Sequence, residues 1–99
     1  MDIEADYQMH HCSIWGGQVE VRLEDATRVD CITADYAIEF DWCHKWAEAI
    51  GQALHYSKLT GKPPAIALIC KSTEQRFIKR VNNAIPNDPE IRIFIINRD

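Results

Sequence analysis

The sequence has few of the residues that mark flexible, fibrous or membrane-spanning chains. Its 99 residues include four glycines and four prolines, and 46% are hydrophobic and 26% charged, as in folded globular proteins. No apolar run approaches the roughly 18–20 residues of a membrane-spanning helix. The acidic start, Met-Asp-Ile-Glu-Ala-Asp, lacks the basic and apolar regions of a signal peptide. We therefore expect one domain over residues 1–99 and no membrane partner, since a domain takes about 100–150 residues.

A surplus of basic residues is also missing. Fifteen acidic residues outnumber eleven basic ones, and the net charge is −4. Proteins that coat nucleic acid gain most of their affinity by neutralising phosphates. The charge balance therefore argues against a simple DNA-coating protein, but it is compatible with an enzyme whose acidic side chains hold a metal ion.

The four cysteines form no CxxC pair, so their spacing does not indicate a zinc site. They are Cys12, Cys31, Cys43 and Cys70. We favour buried free thiols, with the cytoplasm as the default location. The alternative is a Cys12–Cys31 bridge, which together with removal of an upstream signal would indicate the periplasm, because disulfides persist in oxidising compartments.

Hydrophobic periodicity predicts the element order α-β-β-β-α-β-α-β. The predicted helices cover residues 3–15, 43–59 and 72–85, and the strands cover residues 18–23, 28–33, 36–41, 65–70 and 91–96. Ser72 or Thr73 is the expected cap of the third helix. This order predicts an α/β fold of the mixed α+β type, in which a meander and a helical crossover form one central mixed sheet with helices on both faces.

Acidic residues cluster in the second and third predicted strands. Glu39 and Asp41 are two residues apart, so they project to the same side of a strand, while Ile38 and Phe40 project to the other. If the two strands form a hairpin, Asp30 reaches the same place. Three converging carboxylates repel one another unless a cation is bound, and hard oxygen ligands suit Mg²⁺ or Mn²⁺. The alternative is a solvated acidic face.

The helix that follows adds a polar stripe. Lys45, Gln52 and Tyr56 are seven and four residues apart and therefore lie along one side of the helix, away from its apolar face. Lys45 is four residues beyond Asp41, so its ammonium group could contact an oxyanion held over the carboxylates. Alternatively, Lys45 forms only a surface ion pair, and Gln52 and Tyr56 pack locally.

Taken together, these segments resemble the restriction-endonuclease-like, PD-(D/E)xK nuclease superfamily. The resemblance covers about residues 18–70. It depends on residues 28–30, on Ala37-Ile38-Glu39-Phe40-Asp41, and on residues 45–52 with Tyr56.

The resemblance implies a role for each matching residue. Asp30 and Glu39 would be metal ligands, with Asp41 as a further one, and Gln52 would orient the reacting groups. Asp41 stands where the family has its strand lysine, so Lys45 is the candidate replacement. The family's helical glutamate has loose matches here, in Glu4 and in Glu20; we assign Glu20 to the catalytic set.

The implied function is metal-dependent hydrolysis of nucleic acid, with Mg²⁺ or Mn²⁺ as cofactor and DNA favoured over RNA. A homodimer is expected, because a core of 99 residues makes few substrate contacts. The alternative function is a catalytically silent module of the same fold that binds protein or nucleic acid. The missing strand lysine and the acidic charge balance support this alternative.

Overall fold

The computed structural model describes residues 3–99 and confirms the predicted element order. Short 3₁₀ turns precede the second and third helices, at Cys43–Lys45 and Ser72–Glu74. The helices and strands are α1 (Glu4–Ile14), β1 (Gln18–Arg22), β2 (Arg28–Ile32), β3 (Ala37–Trp42), α2 (Trp46–Thr60), β4 (Pro64–Cys70), α3 (Gln75–Ala84) and β5 (Arg92–Asn97). None of the helices described is long and apolar enough to cross a membrane.

The five strands form one mixed sheet in the order β1-β2-β3-β4-β5. The first three strands are an antiparallel meander, whereas β4 and β5 run parallel to β3. Both parallel connections contain a helix, as parallel pairing requires a long crossover. Every residue of β4 is buried, which agrees with its central position and its continuous apolar sequence.

Helices cover both faces of the sheet and create two main cores. On the first face, Tyr7 and Cys12 of α1 pack with Ile38 and Phe40 of β3. On the second face, α2 and α3 pack against β4, with Ala53 and Val81 fully buried. Ile38 and Phe40 of β3 thus lie in the first core, whereas Ala37, on the other face of β3, packs with Val29 and Tyr56 in a third, smaller cluster.

The ends of the helices agree with the sequence in two places and differ in one. Gly16 and Gly61 follow α1 and α2 with φ angles of +71° and +72°, a conformation that glycine adopts readily. The prediction that Ser72 or Thr73 caps the third helix is wrong. A 3₁₀ turn starts there instead, and the carboxylate of Glu74 accepts a hydrogen bond of 2.8 Å from the backbone N–H of Lys71.

The cysteines also differ from the favoured interpretation, because none of the four is a free thiol. Cys12 of α1 is bonded to Cys31 of β2, which was the alternative pairing. Cys43, directly after β3, is bonded to Cys70 at the end of β4. A β-carbon at Gly17 would lie 2.7 Å from the Cys31 sulfur and 2.8 Å from the Cys12 sulfur, so only glycine leaves room for the first bridge.

Candidate functional site

The pairing of β2 with β3 changes character at Asp30. Near the connecting loop, Cys31 and Ile32 pair with Ile38 and Ala37. One step further along the strands, the backbone N–H of Phe40 donates a 2.9 Å hydrogen bond to Oδ2 of Asp30. A side-chain carboxylate thus takes the place of a backbone acceptor. This contact fixes Asp30 beside the stretch of β3 that carries the other two acidic residues.

Asp30, Glu39 and Asp41 form an acidic cluster, in which Glu39 lies deepest. The residue is 4% exposed, and its carboxyl group lies beside that of Asp30. Its Oε1 atom is buried and has no hydrogen-bond partner within residues 3–99. Buried polar atoms are normally paired, so this oxygen is available to a ligand. Asp41 is also buried, and the N–H of Trp42 donates to its Oδ1 at 2.9 Å.

Burial raises the pKa of Asp30, Glu39 and Asp41, and negative charges nearby raise it further. Burial is the largest cause for Glu39, and contact with Asp30 adds to it, so that the pKa of Glu39 rises to about 10. Burial also raises the pKa of Asp30 and of Asp41. Carboxyl groups in this condition either share protons or bind a cation.

Helix α1, which packs on the face of the sheet opposite to α2, contributes two further polar side chains. Gln8 is buried, and its Nε2 donates to the backbone oxygen of Asp30 at 2.9 Å and to Oε1 of Glu20 at 3.0 Å. Glu4, one turn earlier, has a pKa of about 7, raised by burial and then by the charges of Asp41 and Asp30. Glu4 therefore interacts electrostatically with the cluster, while Glu20 is held at its border by Gln8.

The predicted stripe on α2 borders the same cluster. Lys45 is exposed in the turn before α2, and its positive charge lowers the pKa of both Glu4 and Asp41. The Tyr56 hydroxyl donates to Oε1 of Gln52 at 3.4 Å. Burial, followed by the charges of Glu39 and Asp30, raises the pKa of Tyr56 to about 12.

Tyr56 also has a packing role, as the alternative interpretation of the stripe predicted. Its ring is buried against Val29 of β2 and Ala37 of β3. The ring of Tyr56 therefore packs in the core, while its hydroxyl group lies at the acidic cluster.

The donor chemistry of the cluster fits a hard divalent cation. The available groups are carboxylate oxygens, and one of them is buried without a partner. Within residues 3–99, no three acidic, histidine or cysteine side chains are arranged to hold an ion together. Magnesium is usually held by one or two carboxylates and completes its shell with water and substrate phosphate. The Asp30–Glu39 pair supplies that number of carboxylates.

The structure thus brings together most of the residues singled out in the sequence, including Glu4, and adds Gln8. Asp30, Glu39 and Asp41 form the centre, and Lys45, Gln52, Tyr56 and Glu20 lie around it. Glu4, the alternative to Glu20 as the family's helical glutamate, is on the same helix as Gln8. Their spacing of four residues places both on one helix face, a signal that could have identified them together.

A cleft of about 380 Å³ lies at the other end of the sheet. It is lined by Asp35, Tyr36, Pro63, Glu90 and Arg92. These residues are near the start of β3, whereas Glu39 and Asp41 are near its end. No protein-family model, curated protein sequence or solved structure matches this chain. The function is therefore inferred from the geometry of the acidic cluster and from the resemblance of its motif to the PD-(D/E)xK pattern.

Proposed function

We propose that the protein is a metal-dependent nuclease whose site is the acidic cluster at the junction of β2 and β3. The observation that carries the proposal is the Asp30–Glu39 pair. Two buried carboxyl groups lie in contact, and Oε1 of Glu39 has no partner among the residues described. Such an arrangement has little structural value without a cation, because burying unpaired carboxylates destabilises the fold.

Asp30 and Glu39 would hold Mg²⁺ or Mn²⁺, while Asp41, which does not form a three-ligand group with them, would add its negative charge beside the ion. The chemistry that such an ion supplies when bound is polarisation of the scissile phosphate and acidification of a coordinated water. The Phe40 N–H keeps the Asp30 carboxylate oriented. Gln8 holds the backbone of Asp30 from the other side. This support from the protein backbone keeps the donor atoms in place when substrate arrives.

Two further side chains would act on the substrate rather than on the ion. Lys45 is exposed beside Glu4 and Asp41, where an ammonium group can contact a phosphate oxygen and offset its developing charge. Lys45 would thereby take the role of the family's strand lysine, whose position Asp41 occupies in this sequence. Gln52, in contact with the Tyr56 hydroxyl, is positioned to orient water or substrate.

The proposal includes DNA rather than RNA as substrate and a homodimer as the active assembly. It also revises the expected location. Both disulfides would be reduced in a normal cytoplasm, so we propose that the protein acts in an oxidising compartment such as the periplasm.

The test is cleavage of supercoiled plasmid DNA by the purified oxidised protein. We expect nicking with Mg²⁺ or Mn²⁺ and none with a chelator. Glu39→Gln should abolish nicking, because the amide is nearly isosteric but cannot act as an anionic ligand. The matched control is Asp35→Asn, which removes an exposed acid at the far end of β3 and should leave nicking unchanged.

Calorimetric titration with Mn²⁺ separates the alternatives. Wild-type protein should bind the ion, and Asp30→Asn should weaken binding at least tenfold, while its amide oxygen still accepts from Phe40. Nicking that survives Glu39→Gln would identify a contaminating nuclease. Absence of both nicking and Mn²⁺ binding would refute the nuclease proposal and favour the silent module.

A further inference from the structure

Charge is divided unevenly along the chain. The first 41 residues contain ten of the fifteen acidic side chains and only two of the eleven basic ones. Helix α3 shows the opposite composition, because it carries Arg76, Lys79 and Arg80 and no acidic residue. A polyanion is therefore repelled by the part of the protein that holds the acidic cluster and attracted by α3.

The packing of α3 places its three basic side chains on one exposed face. Val81 is fully buried and Phe77 is half-buried against the core beneath α2, so the opposite side of the helix faces solvent. Arg76 and Arg80 are one turn apart, and their guanidinium carbons lie 4.3 Å and 5.5 Å from the centre of the Phe77 ring. The Phe77 ring thus interacts with both guanidinium groups.

These positive charges are not neutralised by neighbouring acids. Among the described residues, the ion pairs are His55–Asp25 and Arg98–Glu74, and neither includes a residue of α3. The carboxylate of Glu74, next to the start of α3, is also engaged by the Lys71 N–H. The basic face therefore retains its charge for an external partner.

The basic face adjoins the acidic cluster through the turn at Cys43–Lys45. This turn follows β3 directly and packs against α3. The Sγ atom of Cys43, which is part of the Cys43–Cys70 disulfide, lies 3.8 Å from the backbone oxygen of Glu74. Lys45, in the same turn, is itself exposed. Lys45 and the basic face of α3 thus lie on elements that pack together, at the side of the acidic cluster where β3 ends.

We propose that Arg76, Lys79 and Arg80 form a binding face for the phosphate backbone of nucleic acid. The face would hold the substrate strand on one side of the acidic cluster, with Lys45 between the two. Contacts of this kind position the substrate and carry no sequence preference. This inference rests on the proposed function for its choice of partner, but its test does not require cleavage.

The experiment measures binding of a fluorescently labelled DNA duplex by anisotropy, with a chelator present so that no cleavage occurs. The test variant is Arg76→Gln/Arg80→Gln. We expect its affinity to fall at least about tenfold. The slope of log K against log salt should decrease by about 2, because each lost phosphate contact removes about 0.9.

The matched control is Arg22→Gln/Arg28→Gln. These two arginines are exposed and face each other across β1 and β2, so the variant removes the same charge from another part of the surface. Its affinity should stay within twofold of wild type. An equal loss in both variants would mean that only net charge matters, and unchanged binding in the α3 variant would refute the face directly.

Two further variants distinguish a loss of binding from a loss of folding. Arg76→Lys/Arg80→Lys keeps the charge and should retain most of the affinity. Lys79→Gln alters a side chain on the exposed face and should weaken binding severalfold with an unchanged thermal transition. Binding that falls in neither Lys79→Gln nor the arginine double variant would overturn the proposal.

Failure of this proposal is distinguishable from failure of the proposed function. If the protein binds DNA through α3 but does not cleave it, the binding face is supported and the nuclease proposal is refuted. If the protein nicks plasmid with Mn²⁺ while the α3 variant retains its affinity for DNA, the nuclease proposal is supported and the binding face is refuted. Absence of both DNA binding and cleavage would refute both.

Discussion

The two faces of β3 consist of alternate residues of one short strand, and they have opposite effects on the stability of the fold. Ile38 and Phe40 are 1% and 0% exposed in an apolar core beneath α1. Glu39 and Asp41, on the other face, are almost as deeply buried but carry carboxyl groups of raised pKa. The first face stabilises the fold by excluding water from apolar surface. The second destabilises it, and destabilising groups that persist in a folded protein usually mark a functional site.

The largest effect is expected on the apolar face. Phe40→Ala should lower the free energy of unfolding by about 3–5 kcal/mol, because it removes a fully buried ring and leaves a cavity. Chemical denaturation measures the change. Ile95→Ala is the control, since Ile95 is 45% exposed on the edge strand β5 and its loss should be much smaller. Similar losses in both variants would show that the core beneath α1 is loosely packed.

The next effect concerns the bridge that ties α1 to this face. Replacing Cys12 and Cys31 by alanine should lower the free energy of unfolding by about 3 kcal/mol, because the bridge closes a long loop in the unfolded chain. Denaturation with and without a reductant measures it. Thiol counting is the control: the folded wild-type protein should show no reactive thiol without reductant. Four reactive thiols would contradict both bridges and the proposed oxidising compartment.

A change of opposite sign is expected on the acidic face. The pKa of Glu39 rises from 4.5 to about 10 on folding. The folded state therefore binds more protons than the unfolded state between these values, and the free energy of unfolding falls as the pH rises through this interval. Glu39→Gln should remove this dependence and stabilise the metal-free protein at neutral pH by about 2–3 kcal/mol.

Denaturation curves at acid and neutral pH, recorded with a chelator, check this prediction. Wild type and Glu39→Gln should have similar stability at acid pH and diverge as the pH rises. Asp35→Asn, which removes an exposed acid, should follow the wild type. If Glu39→Gln is instead destabilised at neutral pH, the carboxyl group has a structural role and the contrast between the two faces disappears.

The fold was predictable because its signals are local. The change from alternation in residues 36–41 to helical spacing in residues 43–59 locates the end of β3 and the start of α2. The run of apolar residues at 65–70 identifies a strand that is buried on both faces. The cap expected at Ser72 or Thr73 does not form because the helical turn begins one residue earlier, with Lys71 at its N-cap position and its N–H donating to the Glu74 carboxylate.

The candidate site was predictable in part. Glu39 and Asp41 share a face because strand residues alternate, and this needs no tertiary information. The place of Asp30 depends on its contact with the Phe40 N–H, which forms only when β2 and β3 are paired. Glu4 and Gln8 lie far from these strands in sequence, so only the docking of α1 brings them to the cluster.

The sequence by itself determined the order of the elements, the buried face of each and the alternation of acidic with apolar residues along β3, because these follow from the fixed periods of strands and helices. Only the tertiary structure decided which distant groups meet. It joined Cys43 to Cys70, brought Glu4 beside Asp41 and left one oxygen of Glu39 without a partner. Those outcomes depend on how packed elements exclude water and satisfy hydrogen bonds together, which no local pattern encodes.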